Sequence, residues 1–175
     1  LLVDHDLRQA HINAILQTLA ENGSDGIEID YRGINPSLRK SFSEFVAELA
    51  EQLHQQGKTL AVRVEYPRQI AYDQWDTGAF DWAALGKSVD VIKFPALPDP
   101  QAFVPEGKMD QLMRWATSEV NRQKLQLVLS TRSVDRTGSN PDYITYVEAM
   151  APFTHVETES GRTTFKPDEQ IVFAL

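Results

Sequence analysis

Charged residues alternate strictly with apolar or aromatic ones over the segment 26–32. Glu28, Asp30 and Arg32 fall on one side of this segment. Such alternation is typical of a β-strand, because successive side chains point to opposite faces of the sheet. Carboxylates on one face can give and take protons, whereas an arginine stays protonated at any working pH. The segment therefore predicts a strand with one charged face, which carries two carboxylates and one fixed positive charge.

A second charged face is predicted in the segment 60–66. Arg63 and Glu65 share one side of this strand by the same parity, and Glu65 stands at its carboxyl end. Functional side chains of parallel α/β folds gather at the carboxyl ends of the strands. Glu65 is therefore the further carboxylate that we single out as a candidate acid.

The elements that must position these residues alternate between helix and strand. Apolar residues at helical spacing predict helices over 7–20, 38–56, 80–87 and 108–120, with Ser37 as the N-cap of the second. The intervening segments 26–32, 59–66, 89–97 and 124–131 are predicted strands. Strands joined by crossover helices indicate an α/β fold with a parallel sheet.

The pattern becomes less regular over 133–175. Residues 137–141 have the composition of a loop, 142–150 of a short helix, and 153–175 of short extended pieces. We nevertheless expect one domain over 1–175, because the length suits a single core and no linker is apparent.

Composition narrows the classes of function. The formal net charge of -8 argues against a nucleic-acid surface, and no apolar run is long enough to insert into a membrane. The chain has no cysteine, and its four histidines lack the spacing of metal ligands, so we expect neither a metal nor a cofactor. Trp75 is the aromatic residue predicted to offer a stacking plane to a sugar.

The segment 25–32 resembles the DGxDxDxE signature of the family 18 glycoside hydrolases, the chitinase-like enzymes. Asp25, Gly26 and Asp30 match it, Glu28 replaces an Asp, and Arg32 stands at the position of the catalytic glutamate. Four further stretches resemble the family in the same order, namely 42–58, 60–66, 78–86 and 89–92. The resemblance implies a partial (β/α)8 barrel of the TIM type, corresponding roughly to strands four to eight.

The resemblance also implies a second loss in the active site. The family's strand after Val89-Asp90 normally ends in a Met-x-Tyr-Asp phrase whose Tyr and Asp hold the acetamido group of the substrate. By alignment these positions fall on Pro95, Leu97 and Pro98, which carry no such groups.

In the family's strand order, one set of residues is expected to project into the same interior: Glu28, Asp30, Arg32, Arg63, Glu65, Lys93, Ser130 and Arg132. Buried charges must be paired or hydrated. We therefore predict an ion-pair network in which Glu28 or Asp30 binds Arg32, and Glu65 binds Arg63 or Arg32. Asp25 and Asp30 then have structural roles.

Three functions follow as hypotheses. The first is a chitinase-like domain without hydrolytic activity, which binds chitooligosaccharide or another glycan or serves as a scaffold. The second is an active glycosidase that uses Glu65 or a residue outside this chain. The third is an unrelated α/β barrel enzyme for a small anionic metabolite, with a ring of cations at Arg32, Arg63, Lys93 and Arg132.

The start of the chain, Leu1-Leu2-Val3-Asp4, has neither an initiating Met nor a signal-peptide pattern. We therefore expect a piece of a longer protein whose targeting signal lies elsewhere, and the resemblance implies a secreted or cell-envelope location. Open sheet edges recruit other strands, so association of copies along these edges is a further expectation.

Overall fold

A computed structural model describes residues 1–97, 100–130, 132–135 and 142–150, and three short strands beyond them. The helices are α1 His5–Asn22, α2 Arg39–Gln55, α3 Trp82–Ser88, α4 Lys108–Glu119 and α5 Tyr146–Met150. The strands are β1 Gly26–Ile29, β2 Thr59–Arg63, β3 Arg68–Ala71, β4 Gln74–Asp76, β5 Val91–Pro95, β6 Leu125–Val128, β7 Ser133–Asp135, β8 Asp142–Ile144, β9 Thr158–Glu159, β10 Arg162–Thr163 and β11 Ile171–Val172. Short 3-10 turns occupy Pro36–Leu38, Pro100–Phe103 and Arg122–Lys124.

The central feature is a four-stranded sheet in the order β1-β2-β5-β6. All three pairings in it are parallel, with Ile29 opposite Val62, Val62 opposite Ile92, and Ile92 opposite Leu125. Each parallel connection passes through at least one helix, as a parallel crossover requires. The predicted α/β fold with a parallel sheet is confirmed.

Strand parity gives this sheet one apolar face and one charged face. Leu60, Val62 and Ile92 are fully buried in the core, and α2 and α3 pack against β2 and β5 on this side. The alternate residues Arg63 and Lys93 are only half-buried and face the other way. The core is completed by the apolar stripe of α2, which buries Phe42, Phe45, Val46, Leu49, Ala50 and Leu53.

Local capping interactions set the helix boundaries. The Asp4 carboxylate accepts a hydrogen bond from Leu7 N at 3.0 Å and so begins α1, and Gly23, with φ of 64°, ends it in the left-handed conformation. The predicted Ser37 N-cap is wrong. Asn35 instead accepts from Ser37 N at 3.0 Å, because a 3-10 turn precedes α2 and moves the cap upstream.

Two further predictions are corrected. The strand predicted over 59–66 ends at Arg63. The stretch after it, for which no element was predicted, contains the antiparallel hairpin of β3 and β4. Only the second half of the segment 142–150, predicted as a helix, is helical, and it forms α5. The first half forms β8, which pairs antiparallel with β7. The loop predicted at 137–141 lies outside the described residues. Within 153–175 the described pairings are β9 with β10 and β11 with β7.

Among the described strands, the parallel sheet is open at both of its edges. Among the described strands, β1 pairs only with β2, and β6 pairs only with β5. Association of copies along these edges stays a prediction. No described helix has the length and apolar character needed to cross a membrane.

Gly26 gives a test of the close approach of β1 and β2. A Cβ at this position would lie 2.3 Å from Thr59 Oγ1 and 2.4 Å from Thr59 O. Gly26→Ala should therefore lower the free energy of unfolding by about 3 kcal/mol, the upper range for overpacking. Urea denaturation would measure this change.

Gly23→Ala is the matched control, since a Cβ there meets nothing within 4 Å and only the positive φ is unfavourable. This control should cost about 1–2 kcal/mol. Unchanged or increased stability of Gly26→Ala would contradict the close approach.

Candidate functional site

A carboxylate of β1 bridges the cations of β2 and β5 on the charged face of the sheet. Lys93 Nζ donates to Glu28 Oε2, and Arg63 Nε lies 3.7 Å from Glu28 Oε1. Arg63 Nη1 lies 3.5 Å from Asp30 Oδ2. Register explains this grouping, since Arg63 and Lys93 are opposite each other in the parallel sheet. The predicted ion-pair network is confirmed for these residues.

Arg32 forms a two-point ion pair with Asp30. Its Nε donates to Asp30 Oδ1 at 2.9 Å and its Nη2 donates to Asp30 Oδ2 at 2.8 Å. This two-point geometry matches the planar guanidinium to the carboxylate. The Arg32 side chain is nevertheless 68% exposed, so it lies at the surface of the site. The predicted pairing of Arg32 with Asp30 is confirmed. The strand predicted over 26–32 is too long, because β1 ends at Ile29 and both paired residues lie just beyond it.

The pair shifts the pKa of both partners. Hydrogen bonding from Arg32 is the largest influence on the pKa of Asp30 and lowers it, partial burial opposes this, and the nearby Arg63 lowers it further. The pKa of Arg32 is raised, first by its hydrogen bond to Asp30 and also by the charges of Asp30 and Glu65. Asp30 is therefore held ionised at neutral pH.

Glu65 makes a different contact from the one predicted. Its Oε1 accepts a hydrogen bond from the backbone N–H of Gly33 at 2.7 Å. The expected salt bridge to Arg63 or Arg32 is replaced by this contact, because the turn after β1 brings Gly33, with φ of 64°, to the end of β2. The negative charge of Glu65 still acts on Arg32.

A cavity of about 510 Å³ opens at the carboxyl ends of the four parallel strands. Its size falls in the range of small-molecule sites. The lining combines charged and hydroxyl groups with an apolar wall. The lining residues are Asp30, Arg32, Arg63, Val64, Glu65, Tyr66, Pro95, Ala96, Val128, Leu129 and Ser130.

Several predicted site residues lie away from this cavity. Asp25 precedes β1 and lines a separate cavity of about 320 Å³ at the opposite end of the strands. Lys93 is not among the lining residues and binds Glu28. Arg132 is also outside the lining. The pKa of Glu148 on α5 is lowered first by hydrogen bonds from Thr145 and further by the charge of Arg132. The four predicted cations therefore do not form one ring around the cavity.

Trp75, predicted as a stacking plane for a sugar, is a core residue. It is 8% exposed and packs against Tyr66 and Trp115 with ring centroids 6.3 Å away in each case. The unpredicted hairpin explains the correction, since β4 returns toward the core and turns the indole inward.

Tyr66 is a cavity residue that the sequence reasoning missed. Its burial raises the pKa of its hydroxyl to about 12, so it remains neutral at physiological pH. The sequence could have identified Tyr66, because it immediately follows Glu65 at the carboxyl end of β2. Three apolar lining residues were missed in the same way: Val128 at the end of β6, and Ala96 and Leu129 just beyond strand ends.

The three positions aligned with the family's substrate-holding phrase lie in different surroundings. Pro95 lines the cavity, and Leu97 packs against the hydrophobic core. Pro98 lies outside the described residues. Among the described residues no cluster of three potential metal ligands is present; His54, for example, is paired with Asp90 at 3.0 Å.

Comparison with known proteins identifies the fold. No family model matches the chain. A cortical fragment-lytic enzyme of Bacillus subtilis (strain 168) is 24% identical over 133 residues, which are 71% of this chain and 30% of that protein.

Three solved structures are similar across most of the chain. A class V chitinase from Pseudomonas fluorescens Pf-5 has a TM-score of 0.70 and 21% identity over 99% of this chain and 58% of its own. The spore cortex-lytic enzyme SleL of Bacillus megaterium QM B1551 has a TM-score of 0.68 and 18% identity over 91% and 40%. The Group IV chitinase of Ostrinia furnacalis, in complex with allosamidin, has a TM-score of 0.65 and 18% identity over 83% and 51%.

These likenesses establish the architecture. The chain has the α/β fold of the chitinase-like family 18 glycoside hydrolases and of the spore cortex-lytic enzymes. It spans about a third of the length of the curated relative and between 36% and 58% of similar solved chains. The predicted partial barrel is confirmed.

The pH dependence of stability tests the pair of Asp30 with Arg32. A carboxylate whose pKa is lower folded than unfolded stabilises the protein above the unfolded pKa, and this contribution is lost as the pH falls through the folded pKa. Asp30→Asn should therefore lower the free energy of unfolding more at about pH 6 than at about pH 2.5. Urea denaturation at both values measures the difference.

The control is Asp25→Asn, the same substitution at the opposite end of β1, which leaves the pair of Asp30 with Arg32 in place. An equal loss of stability in Asp30→Asn at both pH values would show that the ionised pair contributes nothing.

Proposed function

We propose that this family 18 glycoside hydrolase-like domain binds a glycan in the cavity at the strand ends and does not hydrolyse it. The observation that carries the proposal is the two-point hydrogen bond between Arg32 and Asp30. Arg32 occupies the sequence position of the glutamic acid on which the family's chemistry depends.

The chemistry needs an acid that protonates the glycosidic oxygen while the sugar's own acetamido group attacks the anomeric carbon. A guanidinium cannot alternate between giving and taking a proton. Asp30 does not substitute for the acid, because its lowered pKa keeps it ionised. The pair therefore supports a site without a general acid at this position.

Glu65 is the alternative acid in the hypothesis of an active glycosidase. Its Oε1 is already engaged by the N–H of Gly33, which favours a structural role over proton transfer to a ligand. An acid supplied from outside this chain stays a prediction.

A second feature points to the same loss of activity. Pro95 lines the cavity and its side chain has no hydrogen-bonding group, where the family's pattern calls for groups that hold the acetamido group of the substrate. Ala96 beside it offers no side-chain hydrogen bond either. Two independent departures therefore support an inactive site.

The character of the cavity supports glycan binding. Its lining combines apolar residues such as Pro95 and Val128 with hydrogen-bonding groups such as Arg63 and Ser130. Sugar rings present apolar faces and hydroxyl edges, which suit a wall of this composition. The insect chitinase of similar fold was crystallised with allosamidin.

An anionic metabolite is less well supported. Arg32 is bound to Asp30 and Lys93 to Glu28, so a ligand anion would have to compete with carboxylates already in place. Arg132 lies outside the cavity lining.

Binding of N-acetylchitotetraose would test the proposal. Ligand at a hundred times its dissociation constant should stabilise the fold by about 2.7 kcal/mol, which a thermal shift detects. Ala96→Trp should abolish the shift, because the indole would fill the cavity that Ala96 lines.

Ala10→Trp, on the exposed surface of α1, is the matched control and should keep the full shift. No shift in the wild-type protein would favour the scaffold function instead.

Hydrolysis provides the complementary test. The wild-type protein should release no product from a chromogenic chitooligosaccharide, and Arg32→Glu should not restore turnover, because Pro95 still lacks the substrate-holding groups. Efficient cleavage by Arg32→Glu would show that the second loss is unimportant. Wild-type turnover abolished by Glu65→Gln would establish the active alternative.

A further inference from the structure

We propose that Glu65 is a positioning residue that fastens the turn after β1 and thereby presents Arg32 to Asp30. This role deepens the proposed function and, for ligand binding, rests on it. The observation behind it is the hydrogen bond from Gly33 N to Glu65 Oε1, which joins two strand ends 32 residues apart in sequence.

The backbone geometry explains why this contact governs Arg32. Gly33 follows Arg32 directly and has φ of 64°, a conformation that glycine adopts without strain. The chain therefore turns sharply after Arg32, and the turn is held from the neighbouring strand end by Glu65. The fixed backbone at Gly33 and the Asp30 carboxylate together set the direction of the Arg32 guanidinium.

Exposure makes this anchoring necessary. A long side chain that is 68% exposed has little packing to restrict its rotamers, and ordering it is entropically unfavourable. Two polar contacts replace the missing packing: the Asp30 carboxylate binds the guanidinium, and Glu65 immobilises the adjacent peptide. The charge of Glu65 also favours the cation electrostatically.

The position of Glu65 links the anchor to the cavity. Asp30, Arg32 and Glu65 all line the opening, so release of the turn would change the shape and the charge pattern of this wall. A ligand that contacts this wall would then bind less well, although the core on the other face of the sheet is untouched.

Two substitutions of Glu65 distinguish a role as a hydrogen-bond acceptor from a role as an acid. Glu65→Gln keeps a side-chain oxygen that can accept from Gly33 N, whereas Glu65→Ala removes it. Glu51→Ala removes a carboxylate from an exposed site on α2 and is the matched control.

Hydrogen exchange of the Gly33 amide, followed by NMR without any ligand, is the primary measurement. Glu65→Ala should accelerate this exchange roughly tenfold or more, as expected for loss of a hydrogen bond to a charged group. Glu65→Gln should remain close to wild type, and Glu51→Ala should have no effect. The Arg32 Nε–H signal should lose its exchange protection in Glu65→Ala and recover in Glu65→Gln.

A measurement on the wild-type protein covers the case in which Glu65→Ala is too unstable to study. A through-hydrogen-bond coupling between Gly33 N and Glu65 Cδ should be detectable. Equal Gly33 exchange in wild type and Glu65→Ala, failure of Glu65→Gln to rescue, or absence of the coupling would each overturn the positioning role.

Ligand titration then distinguishes this inference from the proposed function. N-acetylchitotetraose should bind severalfold more weakly to Glu65→Ala than to Glu65→Gln. If the wild-type protein binds none, the proposed function fails while the Gly33 and Arg32 measurements still decide the positioning role. Equal binding by both variants, with Gly33 released in only one, would overturn the link between the anchor and the cavity.

Discussion

Charge compensation on the charged face of the parallel sheet is the constraint on which the site depends. Strand parity places Glu28, Arg63 and Lys93 on one face, where half-buried ions are unfavourable unless they are paired. Glu28 and Asp30 therefore each have a cation within contact distance, and Asp30 is shared between two arginines. These charged groups can lie close together because they neutralise one another.

The same parity separates the fold from the chemistry. The apolar residues that hold α2 and α3 on the sheet alternate with the charged ones, so a change on the charged face removes no core contact. This arrangement explains how the chain keeps a chitinase-like fold while an arginine stands at the acid's position. An arginine is accommodated there because Asp30 is within reach and solvent accepts the rest of its side chain.

Sequence patterns were sufficient for the architecture and for part of the site. The alternation over 26–32 predicted β1, although this strand ends earlier, at Ile29, and it predicted the charged side and a carboxylate partner for Arg32. Helical spacing predicted α1, α2 and α4, because burial of one face imposes that period. By contrast, the hairpin of β3 and β4 was not predicted, since it depends on pairing between short segments with few apolar residues.

By itself, then, the sequence determined which residues share a face, because parity and helical period are local properties of the backbone. The resemblance to the family 18 signature also predicted that Arg32 stands where that pattern has an acid. Only the tertiary structure decided that Glu65 binds Gly33 N rather than a cation, that Trp75 is buried, and that Arg132 lies outside the cavity lining. These outcomes depend on where turns bring residues from distant parts of the chain, and a hydrogen bond forms only when donor and acceptor meet within about 3 Å.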